Sequence, residues 1–223
     1  LLARPAAIPA ESVVVLYNSR EADSKSLARH YARVRAIPED NLVGLPMPPD
    51  EEISREQFDE KIRDPLRKLF EARGWWEQTE GADGLTQPIS LKRRILVTMR
   101  GVPYKIARTP ETIPANQLEK RPFAPDPKGN ESSIDSELSL LGVESYSIAG
   151  QINNPYFRQD ESVMDFSNAS FLVVGRIDGP SLAICKRMID DARSESRSSG
   201  KTRVAPVSCL RCQRRRCSET HSA

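Results

Sequence analysis

Four short apolar runs, set apart by segments of helical period, constrain this chain more than any other feature. Ser12 to Tyr17, Arg94 to Met99 and Phe171 to Ile177 are continuous, rich in β-branched residues and strand-sized, and Asn41 to Leu45 fits a second strand. Continuous apolar runs of this length suit strands buried on both faces of a parallel sheet. Between them the period is helical. Leu27, Ala28, Tyr31 and Val34 form one stripe, with Asp23 or Ser24 as cap and an end before Ile37-Pro38. Ser54 and Gln57 have the spacing of a capping box, and Phe58, Ile62, Leu66, Leu69 and Phe70 follow at intervals of three and four. Pro65 falls inside this helix and is expected to bend it or split it in two. A further helix starts at Ser132 or Ser133. The last starts near Pro180, with Leu182, Cys185, Met188, Ile189 and Ala192 on one face.

Strands alternating with helices predict a three-layer α/β fold, a mainly parallel sheet with helices on both faces. The segment from Gly74 to Leu91 reads as a surface loop, and prolines 110, 114, 122, 125 and 127 make Thr109 to Asn130 an irregular loop or flap. Past Ser194 neither period continues, so residues 194–223 are expected to be a disordered, basic, cysteine-rich tail, truncated or frameshifted. Residues 12–193 form the α/β domain. Residues 1–11 are expected to be a flexible N-terminus or the remnant of a leader, since Leu1-Leu2-Ala3 precedes small residues.

Charge narrows the partners. With 33 Lys and Arg against 31 Asp and Glu, the net charge of +2 gives no electrostatic footprint for nucleic acid on the main domain. The excess lies in the tail, in Lys201, Arg203, Arg211, Arg214, Arg215 and Arg216. No apolar run approaches the roughly 20 residues of a membrane span.

In an open parallel sheet, ligands bind beyond the carboxyl ends of the strands, where loops diverge. That rule selects Asn18 after the first strand, with Ser19 and Asp23 near it, Arg100 after the third, and Arg176 and Asp178 after the fourth. Asp135 and Glu137 join them if the proline-rich loop folds over the same edge. Carboxylates meeting an arginine there would bind a metal or polarise an ester, amide or phosphate. The competing expectation is structural: Arg176 pairs with Asp178, and Asp135 and Glu137 serve only a helix start. No Walker loop, Gly-x-Gly-x-x-Gly or Gly-x-Ser-x-Gly is present, and no cofactor is expected. His30 reads as a solvated residue and Cys185 as core. Cys209, Cys212, Cys217 and His221 are spaced like a zinc knuckle but in a different order, so zinc and chance composition both stand.

Tyr17-Asn18-Ser19, His30-Tyr31-Ala32, Arg35-Ala36-Ile37-Pro38, Glu52-Ile53-Ser54-Arg55, Gly101-Val102-Pro103, Ile134-Asp135-Ser136-Glu137-Leu138, Asn154-Pro155-Tyr156-Phe157 and Arg176-Ile177-Asp178-Gly179-Pro180 together resemble a family of conserved bacterial α/β proteins. The resemblance implies export behind a signal peptide and, in family members, further α/β structure after a Gly-rich segment where this chain departs. It carries over no activity. The strand and helix order also resembles that of caspase-type cysteine peptidases, whose catalytic dyad is not present here. The leading expectation is an exported α/β protein, as a hydrolase with its site at the strand ends. The alternative is a non-catalytic binding or surface module.

Overall fold

The computed structural model describes residues 8–81, 85–109, 129–144 and 171–198. The leader-like start, most of the proline-rich segment, and the tail with its Cys209, Cys212, Cys217 and His221 lie outside the described residues. Four parallel strands make the main sheet: β1 (Val13–Asn18), β2 (Leu42–Leu45), β6 (Ile95–Met99) and β9 (Val173–Ile177), in the order β2-β1-β6-β9. The expected α/β architecture is therefore present. Val15 pairs with Leu42 on one side of β1 and with Val97 on the other, and Val97 pairs with Gly175 of β9.

Alternation along these strands divides the interior into two cores, one on each face. Val13, Val15, Val97 and Met99 pack against Leu27, Ala28 and Ala32 of α1 (Ala22–Arg35) and against Cys185 and Ile189 of the C-terminal helix, Leu182–Ser198. Val14, Leu16 and Leu96 face the opposite way. They meet Phe58 at the end of α2 (Arg55–Phe58) and Leu66 and Phe70 of α3 (Asp64–Ala72), and also Ile134 and Leu138 of α4 (Ile134–Ser139). Full burial of each such side chain contributes roughly 1.5–3 kcal/mol. The C-terminal helix, fifth in order, is α5.

Ser54 caps α2 through the expected reciprocal bonds with Gln57, 3.1 and 3.0 Å. The helix is then broken by a π-helical turn, Asp59–Arg63, ahead of Pro65, which stands in the first turn of α3. A residue without an N–H is best accommodated there. A small three-stranded sheet and a two-stranded ribbon complete the described fold. β3 (Glu52–Ile53), β7 (Lys105–Ile106) and β8 (Ser132–Ser133) form a small sheet, and β4 (Trp76–Glu80) pairs antiparallel with β5 (Thr86–Leu91).

Several expectations need correction. Within the expected loop from Gly74 to Leu91, residues 76–80 and 86–91 are strands: Trp75 and Trp76 are buried against Phe70, with ring centroids 5.1 and 5.0 Å away, and anchor the β4–β5 ribbon. Neither Asp23 nor Ser24 caps α1. The N-cap is Glu21 without a side-chain bond, and Ser24 Oγ accepts the Asn18 N–H at 3.0 Å. His30 is not simply solvated, since its Nε2 lies 2.9 Å from Asp190 Oδ1 and links α1 to α5. On α5 the buried stripe is narrower than predicted, because Met188 and Ala192 are exposed, and the helix runs on past Ser194. Among the described residues no helix is long and apolar enough to cross a membrane.

Candidate functional site

The strand order has a switch point. From β1 the chain passes to β2 on one side, and it later returns to lay β6 on the other, so the loops leaving β1 and β6 diverge. A crevice belongs there. A cleft of about 310 Å³ occupies that edge. Each parallel strand contributes the residues that follow it: Glu21 after β1, Asp50 and Glu51 after β2, Arg100 to Tyr104 after β6, and Asp178 and Gly179 after β9.

Beneath this rim lies Asn18, fully buried at the end of β1. Its amide nitrogen donates to Gly101 O at 3.1 Å and Pro48 O at 3.3 Å, and its oxygen accepts from Arg20 N–H at 3.1 Å and Met47 N–H at 3.2 Å. An asparagine side chain has two N–H donors and one doubly accepting oxygen. All are satisfied by backbone, so Asn18 ties three cleft loops together and has no capacity left for a ligand.

Arg176 and Asp135 form the second support. The guanidinium Nε and Nη2 donate to the two Asp135 oxygens, each at 2.8 Å, while Nη1 and Nη2 hold Val102 O at 2.8 Å and Pro103 O at 3.0 Å. Thr98 Oγ1 donates to Asp135 Oδ1 at 3.1 Å. This bidentate pair fixes the cleft wall from below. The expected pairing of Arg176 with Asp178 is the lesser contact, at 4.0 Å. Glu137 belongs elsewhere: it forms a buried pair with Arg55, 2.9 Å between Nη1 and Oε2, and accepts from Ser132 Oγ at 2.6 Å.

Of the six residues expected at the site, Arg100 and Asp178 line the cleft, Asn18, Asp135 and Arg176 brace it, and Glu137 does not take part. Arg100 Nε donates to Gly179 O at 3.1 Å, and its Nη1 lies 3.9 Å from Asp23 Oδ2. Asp178 Oδ1 accepts the Gly179 N–H at 2.7 Å. Sequence reasoning missed Glu21, Asp50, Glu51 and Tyr104. The strand-end rule, applied to β2 as it was to the other strands, points to Asp50 and Glu51. Tyr104 donates to Glu51 Oε2 at 2.9 Å, and that carboxylate acceptor holds the phenol pKa above its ordinary value.

Gly101 shapes the rim. Its φ of +89° lies where only glycine is unstrained, and a Cβ there would sit 2.3 Å from Glu21 Oε2. The bare Cα lets the half-buried Glu21 carboxylate lie against the turn. No side-chain hydrogen bond holds Glu21 or Asp50 among the described residues. Four carboxylates and one guanidinium thus line the cleft, although no three His, Cys, Asp or Glu side chains among the described residues are grouped to hold a metal ion.

Cys185 lies directly under the rim, where a Cβ on Gly179 would meet its sulfur at 3.2 Å. It is a core residue, as expected. Burial first, and Asp178 second, raise its thiol pKa, with Arg100 opposing. Alkylation by iodoacetamide, followed by peptide mass spectrometry, is therefore expected to label Cys185 only when the domain unfolds. Labelling of the native protein at the rate of an exposed thiol would contradict this burial.

Comparison with protein-family models, curated proteins and solved structures gave no match.

Proposed function

We propose that this domain binds a small polar ligand bearing a positive charge in the cleft at the carboxyl ends of β1, β2, β6 and β9. One observation carries the reading: the cleft sits at the switch point of a parallel sheet and is walled by the loops after all four strands. Its volume is at the lower end of small-molecule sites. The charge preference follows from the described lining, in which Glu21, Asp50, Glu51 and Asp178 outnumber the one cation, Arg100, and Arg100 is already turned toward Gly179 O and Asp23. An amine or guanidine spreads its charge over several donors and suits carboxylates that, among the described residues, are not grouped in threes around one metal position.

Hydrolysis is the second reading. The described cleft lining has no serine, threonine, cysteine or histidine, so water activated by a carboxylate such as Glu21 or Asp178 would be the nucleophile. The leader-like start and the resemblance to exported bacterial proteins support export as part of either reading.

Calorimetric titration with agmatine, a diamine, inorganic phosphate and citrate tests the proposal. The two cationic probes are expected to bind and the anions not to. Glu21→Gln and Asp178→Asn are each expected to weaken binding roughly 10- to 100-fold, as loss of a charge-assisted contact of about 1.5–3 kcal/mol implies. Equal binding of anions, or cation binding unchanged in both variants, would overturn it.

A further inference from the structure

Building on the cation-binding reading of the cleft, we infer that the ring of Tyr104, with the Glu51 carboxylate at its edge, is the seat of a guanidinium group, so that the ligand's cation is a guanidinium and not an ammonium.

Tyr104 is the one aromatic residue of the described cleft lining. It is 44% exposed and belongs to neither apolar core. Its position is nevertheless fixed from several sides. Its N–H donates to Glu51 O at 3.0 Å, its carbonyl accepts from Ile134 N–H at 3.0 Å, and Arg176 holds the preceding carbonyl, Pro103 O, also at 3.0 Å. The hydroxyl donates to Glu51 Oε2 at 2.9 Å. A ring that adds little to the interior, yet is already ordered at the wall of a cleft, lowers the entropy lost when a ligand lands on it.

A phenol O–H lies close to the plane of its ring, so Glu51 meets Tyr104 at the edge and covers neither face. Aromatic faces are electronegative and attract cations. Elsewhere in this fold guanidinium groups already occupy such positions: Arg73 and Arg93 lie 4.9 and 5.5 Å from the Trp75 centroid, and Arg67 lies 5.6 Å from that of Trp76. Among the described residues no cation stacks on Tyr104. Arg100, the cation of the described lining, is turned to Gly179 O.

The chemistry of the two groups selects the ligand. Glu51 uses only Oε2 for Tyr104, and its Oε1 accepts no side-chain hydrogen bond among the described residues. A guanidinium is planar and weakly hydrated, so it can lie flat on the ring while its fork of N–H groups donates to a neighbouring carboxylate. An ammonium is compact and strongly hydrated, and it gains less from a half-exposed ring.

Calorimetric titration of the full chain with agmatine and with 1,4-diaminobutane tests the choice, since both probes have the same alkyl chain and the same charge. Agmatine is expected to bind about 5-fold more tightly, the ratio given by a cation–π contact of about 1 kcal/mol. Tyr104→Leu is expected to bring that ratio to about 1. Tyr104→Phe, which keeps the ring and loses the bond to Glu51, is expected to retain it. The ratio is read within each variant, so a partly unfolded sample lowers both probes alike. Butylguanidine and N-acetylargininamide, each with a single charge, separate the sources: tighter binding of the first assigns the guanidinium to a free small molecule, and of the second to an arginine side chain of a peptide, and either result supports the same seat. Equal binding of agmatine and diaminobutane, or a preference that survives Tyr104→Leu, would overturn the inference and leave the cation-binding cleft standing. Binding of neither cation would overturn both.

Discussion

Glu137→Ala is expected to cost about 3–5 kcal/mol of folding stability, the range for removing one partner of a buried ion pair. Arg55 and Glu137 have side chains only 9% and 7% exposed and meet through Nη1 and Nη2 of the guanidinium, at 2.9 and 3.0 Å. Arg55 also donates to Asn130 O and Ser132 Oγ, each at 3.2 Å, so the pair bolts α2 to the start of α4. Alanine would leave the guanidinium buried without its counter-charge. The midpoint of thermal unfolding should fall on the order of 10 °C. Desolvating two charges offsets much of what their attraction supplies, so Arg55→Leu combined with Glu137→Leu should cost much less than Glu137→Ala alone. Urea denaturation of wild type, single and double variants measures this. A single variant within about 1 kcal/mol of wild type, or a double as unstable as the single, would contradict this role for the pair.

That residue also shows how far the sequence could be read. Acid at the first turn of a helix has a local meaning, favourable interaction with the dipole, and Ser133 does cap α4. What decides the role of Glu137 is Arg55, 82 residues earlier, and no local pattern encodes that proximity. The sheet was legible because its strands are continuous apolar runs, and buried parallel strands leave that mark. The β4–β5 ribbon was not, since outside Trp76, Pro88 and Leu91 its residues are polar or half-exposed and alternate weakly. The predicted face of α5 was too broad because one flank serves α1 and only Cys185 and Ile189 are buried against the sheet, Met188 and Ala192 being exposed. At the candidate site, the strand-end rule pointed to the edge of the sheet where the cleft lies. It could not separate lining from bracing: Asn18 meets Gly101 across 83 residues, and Asp135 meets Arg176 across 41. Glu21 carried no signal, being one acid in a polar loop, and its position depends on a glycine far along the chain.

Asn18→Asp is expected to be among the most damaging isosteric changes in the domain, at about 3–5 kcal/mol near neutral pH. The introduced carboxylate would keep the two acceptor bonds from Arg20 and Met47 but lose both donors. Pro48 O and Gly101 O would then face a buried negative charge. Burial and those two carbonyls should raise the new carboxyl pKa above its unfolded value. The folded variant would therefore bind more protons than the unfolded chain, and its deficit should shrink as pH falls through the raised pKa, when the neutral acid can donate to one carbonyl again. Wild type has no such group at this position, so the difference in unfolding free energy between variant and wild type, measured from pH 8 to pH 5, isolates the effect. Because Asn18 holds the loops after β1, β2 and β6 in one arrangement, probe binding in the cleft should also weaken under conditions where the variant is still folded. A deficit independent of pH, or cleft binding retained at full strength in the folded variant, would show that Asn18 does not set the geometry of this edge.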